Sequence, residues 1–415
     1  MLSSNTGNSN QAFLEAQFEK MQVESVNGSD NNVFKPASIL CVGAGWFPKT
    51  PGGLERYVYE LTHKLAAKDT IELCGVGLPS DCQNLPIKLT NLASPDAPIW
   101  KRMWDCRSNF HASRTFTPDA INLHFALYSF PILDLLPKQV PITFNFHGPW
   151  TSESVQESRE TKISVLLKKW LIEQRTYNRC DRFIVLSKAF GNILHQQYKI
   201  SWDKIHIIPG GVNTEKFQLN LSKKGARSAL GWPQDRQILF TSRRLVHRVG
   251  IDKLLDAVAA IKSRNPDIWL AVGGRGPLLE TLLSQATELS LDNHVKFIGF
   301  LKDELLPVAY QAADLSVMPS QSFEGFGLAI VESLACGTPV VCTPVGGMPE
   351  ILEPFSPDLI CASISNNAIA ETLEQALLKK ITVPSPYQCR EYATANFDWS
   401  KIAQKVRAVL LGVRS

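Results

Sequence analysis

The chain has 415 residues, of which 44% are apolar and 20% charged. At roughly 150 residues per domain this makes two to three domains of a core-forming protein and excludes a disordered or fibrous chain. Its 43 Lys and Arg against 39 Asp and Glu leave a net charge of +4, too mild for a dedicated nucleic-acid binder, so no nucleic-acid partner is expected. No apolar run reaches the roughly 18 residues of a membrane span, and the opening MLSSNTGNSNQAF lacks the basic and apolar blocks of a secretory leader. The nine cysteines include no C-x-x-C pair and lie mostly in apolar, strand-like runs. They are expected to be buried, reduced thiols of a cytoplasmic chain.

The first 34 residues are rich in Asn, Ser and Gln, with one base (Lys20) against four acids (Glu15, Glu19, Glu24 and Asp30). Only QAFLEAQFEKM has a helical pattern there, so residues 1–35 read as a disordered tail. From Ala37 onward short β-branched runs alternate with helical patterns. Strands are predicted at Ser38–Val42, Ile71–Val76, Ala120–Leu123, Ile142–Phe146, Phe183–Leu186 and Ile205–Ile208, then at Ile238–Thr241, Ile268–Val272, Val295–Ile298, Leu315–Met318, Val340–Cys342 and Leu359–Cys361. Continuous apolar runs separated by helices are the pattern of parallel strands buried on both faces. Two such sets predict an α/β chain of two Rossmann-like, doubly wound domains facing across a cleft. The first is placed at 36–208 and the second at 209–390, with the junction at the turn-prone Pro209-Gly210-Gly211. Residues 391–415 hold a final helical pattern, from Trp399 to Leu411, that could pack back on the first domain.

In open α/β sheets ligands sit beyond the carboxyl ends of the strands, so residues there carry the functional signal. After the first strand comes Gly43 through Arg56, a Gly/Pro-rich loop with Gly52-Gly53 opening a helix from Leu54 to Leu65. Glycines admit a close ligand and a helix start offers N–H groups to an anion, although the spacing is not a dinucleotide fingerprint. Gly273-Gly274-Arg275-Gly276-Pro277 repeats that arrangement before a helix from Leu278. Glu324-Gly325-Phe326-Gly327-Leu328 leads from a strand into a helix that carries Glu332 one turn in. Gly327 and Leu328 could present N–H groups to a phosphate while the two carboxylates accept from sugar hydroxyls. Arg243, Arg244 and Arg248 follow another strand and suit a diphosphate leaving group. His124 and His147 both lie just past strands of the first domain. With no D-x-D pair and no clustered ligands, a metal holding the phosphates is not expected. Each feature also has an ordinary structural reading, as a turn, a helix cap or a solvated surface charge.

Together, Phe146-His147-Gly148, Arg244-Leu245 up to Gly250, Gly273–Pro277, Glu324-x7-Glu332, Gly52-Gly53-Leu54-Glu55 and Gly346-Gly347-Met348-Pro349-Glu350 resemble the large retaining glycosyltransferase family 4, in the expected order over about residues 38–400. The resemblance implies a GT-B fold, an acceptor on the first domain and a nucleotide sugar held mainly by the second. It implies that Glu332 bonds the ribose and Glu324 the donor sugar. Backbone around Phe326, Gly327 and Leu328 would contact sugar and phosphate, backbone near Ile298 and Gly299 the base, and His147 would lie beside the anomeric centre. Gly52, Gly53, Gly274 and Gly276 would line the donor site, and Arg244 and Arg248 would meet the diphosphate. The nucleotide sugar is a substrate, so no cofactor is implied, and similar enzymes retain configuration without a metal.

One departure stands out, because the position the family gives to Lys is Val249, next to Arg248. Either Arg248 supplies the charge from a shifted position or the site is weakened. Residues 36–209 hold 20 Lys and Arg against 15 Asp and Glu, and Trp100-Lys101-Arg102-Met103-Trp104 and Lys168-Lys169-Trp170 interleave bases with tryptophans. These read as solvated helix faces or as a peripheral membrane contact at the inner face. The acceptor class stays open between glycan, lipid and small molecule. A nucleotide-sugar epimerase of the same fold and a non-catalytic nucleotide-sugar-binding protein are the rival readings, with a Rossmann oxidoreductase behind them.

Overall fold

The computed structural model describes residues 35–50, 52–79, 85–113, 117–149 and 162–413. The expected tail (except Lys35), its helical QAFLEAQFEKM stretch and Pro51 of the glycine loop lie outside the described residues. The first sheet contains β1 (Ser38–Val42), β2 (Thr70–Val76), β3 (Ile87–Ala93), β4 (Ala120–Leu123), β5 (Ile142–Phe146), β6 (Arg182–Val185) and β7 (Ile205–Ile207). The second contains β8 (Gln237–Ser242), β9 (Ile268–Gly273), β10 (Val295–Gly299), β11 (Leu315–Met318) and β12 (Val340–Cys342). Their orders are β3-β2-β1-β4-β5-β6-β7 and β10-β9-β8-β11-β12, and every ladder is parallel. Strand order reverses at β1/β4 and at β8/β11, the switch points where α/β folds open a crevice.

The division of strands is seven and five, not six and six. β3 escaped prediction because it is an edge strand whose IKLTNLA sequence is polar and partly exposed through its middle and has no apolar run. Leu359–Cys361 is not a strand. Pro357 starts a 3₁₀ turn through Leu359, and the remaining extended piece makes only one isolated bridge, Ile360 to Cys342.

Side-chain alternation sorts the helices. Ile39 and Cys41 of β1 face α1 (Gly53–Ala66), whose Tyr57, Val58, Leu61 and Leu65 form its buried stripe. Leu40 and Val42 face the other layer. That layer holds α2 (Ile99–Ser113), α3 (Ala126–Ser129), α4 (Lys162–Lys168) running through a π-helical stretch (Lys169–Gln174) into α5 (Arg175–Asn178), and α6 (Lys188–Tyr198).

The two halves are joined twice. After β7, Val212 pairs in parallel with Asp398, with Val212 N–H donating to the Phe397 carbonyl at 2.7 Å. Gly210 and Gly211 allow this approach, because a Cβ on Gly210 would press on Phe326 and Leu328 and one on Gly211 on the Trp399 indole. In the second half α7 (Leu328–Ala335) packs against α8 (Pro386–Phe397), whereas α9 (Trp399–Leu411) packs on α1, β4 and β5 of the first. The change of partner thus falls at Asp398, and a division at 391 cuts through α8. The eight cysteines among the described residues are all buried and free of disulfides.

Candidate functional site

The carboxyl ends of the two switch-point regions bring the candidate residues together. In the first half β4 and β5 are neighbours, so His124 and His147 emerge side by side, Nδ1 of one 3.3 Å from Nε2 of the other. Tyr57 of α1 meets the His147 ring edge-on at 4.8 Å, and Trp399 backs Tyr57 at 5.1 Å. Burial pushes the His147 pKa down to about 3, and burial together with His147 pushes His124 well below its ordinary value. Both imidazoles are therefore neutral near pH 7, able to share hydrogen bonds but not to carry charge.

In the second half Glu324 lies in the loop after β11, and Gly327 caps α7 ahead of Leu328 and Glu332. The Glu324 carboxylate is ion-paired to Arg243 and accepts from the Ser320 hydroxyl at 3.2 Å. Burial alone would raise its pKa, but Arg243 and Arg248 outweigh that and hold it below the ordinary glutamate value. Glu332 is buried, ion-paired to Arg56 of α1 and approached by the Tyr310 hydroxyl at 3.4 Å. Arg56 reaches Asp303 as well, which also holds Lys216. Its guanidinium lies over the rings of Phe47 and Phe217, at 4.6 and 5.5 Å. Burial works against its charge, but Glu332 outweighs that and leaves the pKa raised.

Two of the glycine loops brace neighbouring loops. Gly274 has φ +122, a region L side chains avoid, and a Cβ there would overlap the Arg243 carbonyl. Gly276 also packs on backbone, since a Cβ there would press on Leu245, and Leu245 N–H donates to the Arg275 carbonyl at 3.0 Å. The close approach at 274 and 276 is thus to the arginine loop itself. Gly299 ends β10 after the half-buried Ile298 and accepts from Gly274 N–H at 2.7 Å. Gly346 has φ +59 and its Cβ would overlap the Glu324 carbonyl, while Gly347 N–H donates to that carbonyl at 3.0 Å. Glu350 of the same motif caps α6 across the halves, accepting from Lys188 and Ala189 N–H at 2.7 and 2.9 Å. Gly52 precedes α1 and Gly53 opens it, with no atom within 4 Å of where a Cβ on Gly53 would stand. Phe326 is a core side chain packed on Phe397, so only its backbone is available to a ligand.

Arg244 is exposed, whereas Arg243 and Arg248 are the partly buried ones and both act on Glu324. Val249 is 2% exposed, inside the core with Leu245, Ile251 and Leu254. Gln321 N–H donates to the Arg248 carbonyl at 2.8 Å, tying the arginine loop to the loop of Glu324. Sequence reasoning missed Arg56, Asp303 and Lys216. The Arg56–Glu332 pair spans 276 positions, and the only local hint was that Arg56 directly follows Gly52-Gly53-Leu54-Glu55. Among the described residues no group of three His, Cys, Asp or Glu could hold a metal ion. A cavity of about 650 Å³ bordered by Gln237, Leu315 and Pro339 lies at the amino ends of β8, β11 and β12, opposite this site.

Residues 51–216 match the model of Glycosyltransferase Family 4 and residues 222–396 that of Glycosyl transferases group 1. The chain belongs to the family 4 type of GT-B glycosyltransferases. Over 241 residues it is 29% identical to the uncharacterized glycosyltransferase MJ1607 of Methanocaldococcus jannaschii, covering 55% of this chain and 59% of that protein. Over 239 residues it is 30% identical to the D-inositol 3-phosphate glycosyltransferase of Saccharomonospora viridis, covering 55% of each. The matched stretch thus spans less than two thirds of these relatives' length. Among solved structures, sucrose-phosphate synthase from Thermosynechococcus elongatus superposes with a TM-score of 0.73 at 22% identity, over 90% of this chain and 98% of that one. Anabaena Alr3699/HepE in complex with UDP-glucose superposes at 0.70 and 20%, over 91% and 100%. The chain therefore has the GT-B fold, two Rossmann-like domains.

Proposed function

We propose that this glycosyltransferase moves a hexosyl group from a UDP- or GDP-sugar to a hydroxyl of a glycan, lipid-linked or small-molecule acceptor, with retention of configuration and without a metal. The observation that carries the reading is the convergence of Glu324, Arg243 and Arg248 at the carboxyl ends of β8 and β11, with the neutral His147 joined to Glu332 through α1. Consecutive residues of that helix touch both sides, Arg56 on Glu332 and Tyr57 on His147.

In this reading the glycosidic C–O bond to the diphosphate breaks as the acceptor oxygen bonds the same carbon on the same face. The acceptor proton passes to the departing diphosphate oxygen. The leaving group gains charge in that step, so Arg243 and Arg248 stabilise the transition state more than the ground state. Glu324 and Glu332 accept from sugar and ribose hydroxyls, and the α7 N-terminus at Gly327 and Leu328 faces phosphate. His147 orients a sugar hydroxyl without adding charge. The UDP-glucose in the Anabaena neighbour and the mycobacterial relative named as a GDP-mannose-dependent phosphatidylinositol monomannoside mannosyltransferase support these donor and acceptor classes.

The test is a thermal-shift screen with UDP-, GDP- and ADP-sugars, since a ligand binding only the folded state raises its melting temperature. The selected donor is then incubated with an acceptor panel in excess EDTA. The reading expects a new glycoside with the donor's anomeric configuration. Acceptor-independent isomerisation would favour the epimerase, binding without transfer the non-catalytic module, and rescue by Mg²⁺ or Mn²⁺ a metal-dependent enzyme.

A further inference from the structure

We propose that the outer face of α2 and α4 with its π-helical continuation docks on an anionic lipid bilayer. An amphipathic helix in a globular protein turns its apolar stripe to the core, and these two turn one outward. Cys106 and Phe110 of α2 are buried, yet Trp100 and Trp104, one turn apart on the opposite side, are 73% and 69% exposed. In the second segment Ile172, Thr176 and Tyr177 point inward. Ile163, Leu166, Leu167 and Trp170, at i, i+3, i+4 and i+7, form a stripe that is 58–80% exposed. Exposed apolar stripes of this kind mark an interaction site.

The charge around the stripes decides what covers them. Lys168, Lys169 and Arg175 flank Trp170, with the Arg175 guanidinium 5.7 Å from its ring. The acids on the same helices are spent internally, Asp105 on Lys101 at 2.8 Å and the buried Glu173 on the Tyr198 hydroxyl at 2.9 Å. Lysine is depleted in protein–protein interfaces, whereas lysine and arginine beside tryptophan and leucine suit an anionic headgroup layer over acyl chains. No helix among the described residues is long and apolar enough to cross a membrane, so the face lies on the bilayer. Both segments contact α3, and Arg102 of α2 donates to the Tyr128 hydroxyl of α3 at 2.6 Å. Since α3 begins two residues after His124, the bilayer lies beside the carboxyl ends of β4 and β5. The inference needs no turnover and stands apart from the proposed reaction.

The test is flotation of the full chain with phosphatidylcholine vesicles, with and without 30% phosphatidylglycerol, in low and high salt. Binding is expected only to the anionic vesicles, weakening with salt. Trp100→Ser/Trp104→Ser and Leu166→Ser/Leu167→Ser should each lose at least about ten-fold in vesicle affinity. Lys168→Glu/Lys169→Glu, which leaves the apolar stripe intact, should lose about five-fold or more per base. Each variant's circular dichroism and melting temperature should match the parent, and if one misfolds the others carry the test. Absence of flotation, or equal and salt-insensitive binding to neutral vesicles, overturns the proposal. So does a dimer in sedimentation that these variants dissociate, because the face would then be covered by a second copy.

Discussion

Arg56 and Glu332, on helices of different halves, form an ion pair that joins the candidate donor site to the first half. The same carboxylate is the one the proposed reaction offers to the ribose, so a bound nucleotide has to share or displace the guanidinium. Both partners are largely shielded, with side chains 14% and 8% exposed, which makes the pair costly to break singly. Arg56→Ala and Glu332→Ala are each expected to lower unfolding free energy by about 3–5 kcal/mol. The double variant should lose clearly less than their sum, giving a measurable coupling in urea titrations. Additive losses would mean that the pair is not held in solution.

Glu324 is expected to separate chemistry from nucleotide binding. Glu324→Gln keeps size and some hydrogen bonding, and should lower kcat about 10²–10³-fold with nearly unchanged nucleotide affinity. Glu332→Ala should instead weaken nucleotide binding when compared per folded molecule. Variants that only melt earlier, with unaltered kinetics, would reduce both carboxylates to structural caps.

The arginine loop makes two opposite forecasts for adjacent residues. Arg248→Ala removes a cation facing Glu324 and should lower kcat/KM about 100-fold. Val249→Lys, which restores the family residue, should not rescue it. Val249 is 2% exposed in an apolar cluster, and a lysine there should cost about 3 kcal/mol or more. A stable, fully active Arg248→Ala/Val249→Lys enzyme would refute this arrangement.

The two histidines predict a pH dependence of stability. An imidazole ionises near 6.5 in an unfolded chain, but burial holds His147 down to about 3 and His124 also low. Between these limits the unfolded state binds more protons, so stability is fully present above about pH 6.5 and falls as pH drops towards 3. Each histidine should contribute roughly 1 kcal/mol per pH unit between pH 6.5 and 5, above most carboxylate titrations. His147→Gln should flatten that slope in denaturant titrations, and an unchanged slope would show the imidazole to be exposed to protons in the native state.

Most strands were legible because burial on both faces writes itself as an apolar run, as in β1, β5 and β11. The same logic explains the misses, since β3 is half exposed and Pro357 turned an apolar run into a 3₁₀ turn. The positions of Glu324 and Glu332 followed from strand-end geometry. Which arginine turns inward did not, because neighbouring residues leaving a strand point to opposite sides and the sequence does not say which side is the site. Arg56 was out of reach for a different reason: its partners Asp303 and Glu332 become neighbours only when the halves meet.

The return of α9 to the first half has a consequence in time. Its Ile402, Ala403, Val406 and Leu410 join the same core cluster as Tyr57, Val58 and Leu61 of α1, and Arg407 bonds the buried Asp69 at 2.7 and 2.8 Å, 338 positions apart. A ribosome adding about 5–20 residues per second takes roughly 20–70 s to travel from one to the other. During that interval the first half has left the exit tunnel with one flank of its sheet and the Asp69 carboxylate still uncovered. Its closure is therefore timed by the synthesis of the second half, and a stall anywhere between the two positions leaves apolar surface open to chaperones and to neighbouring nascent chains.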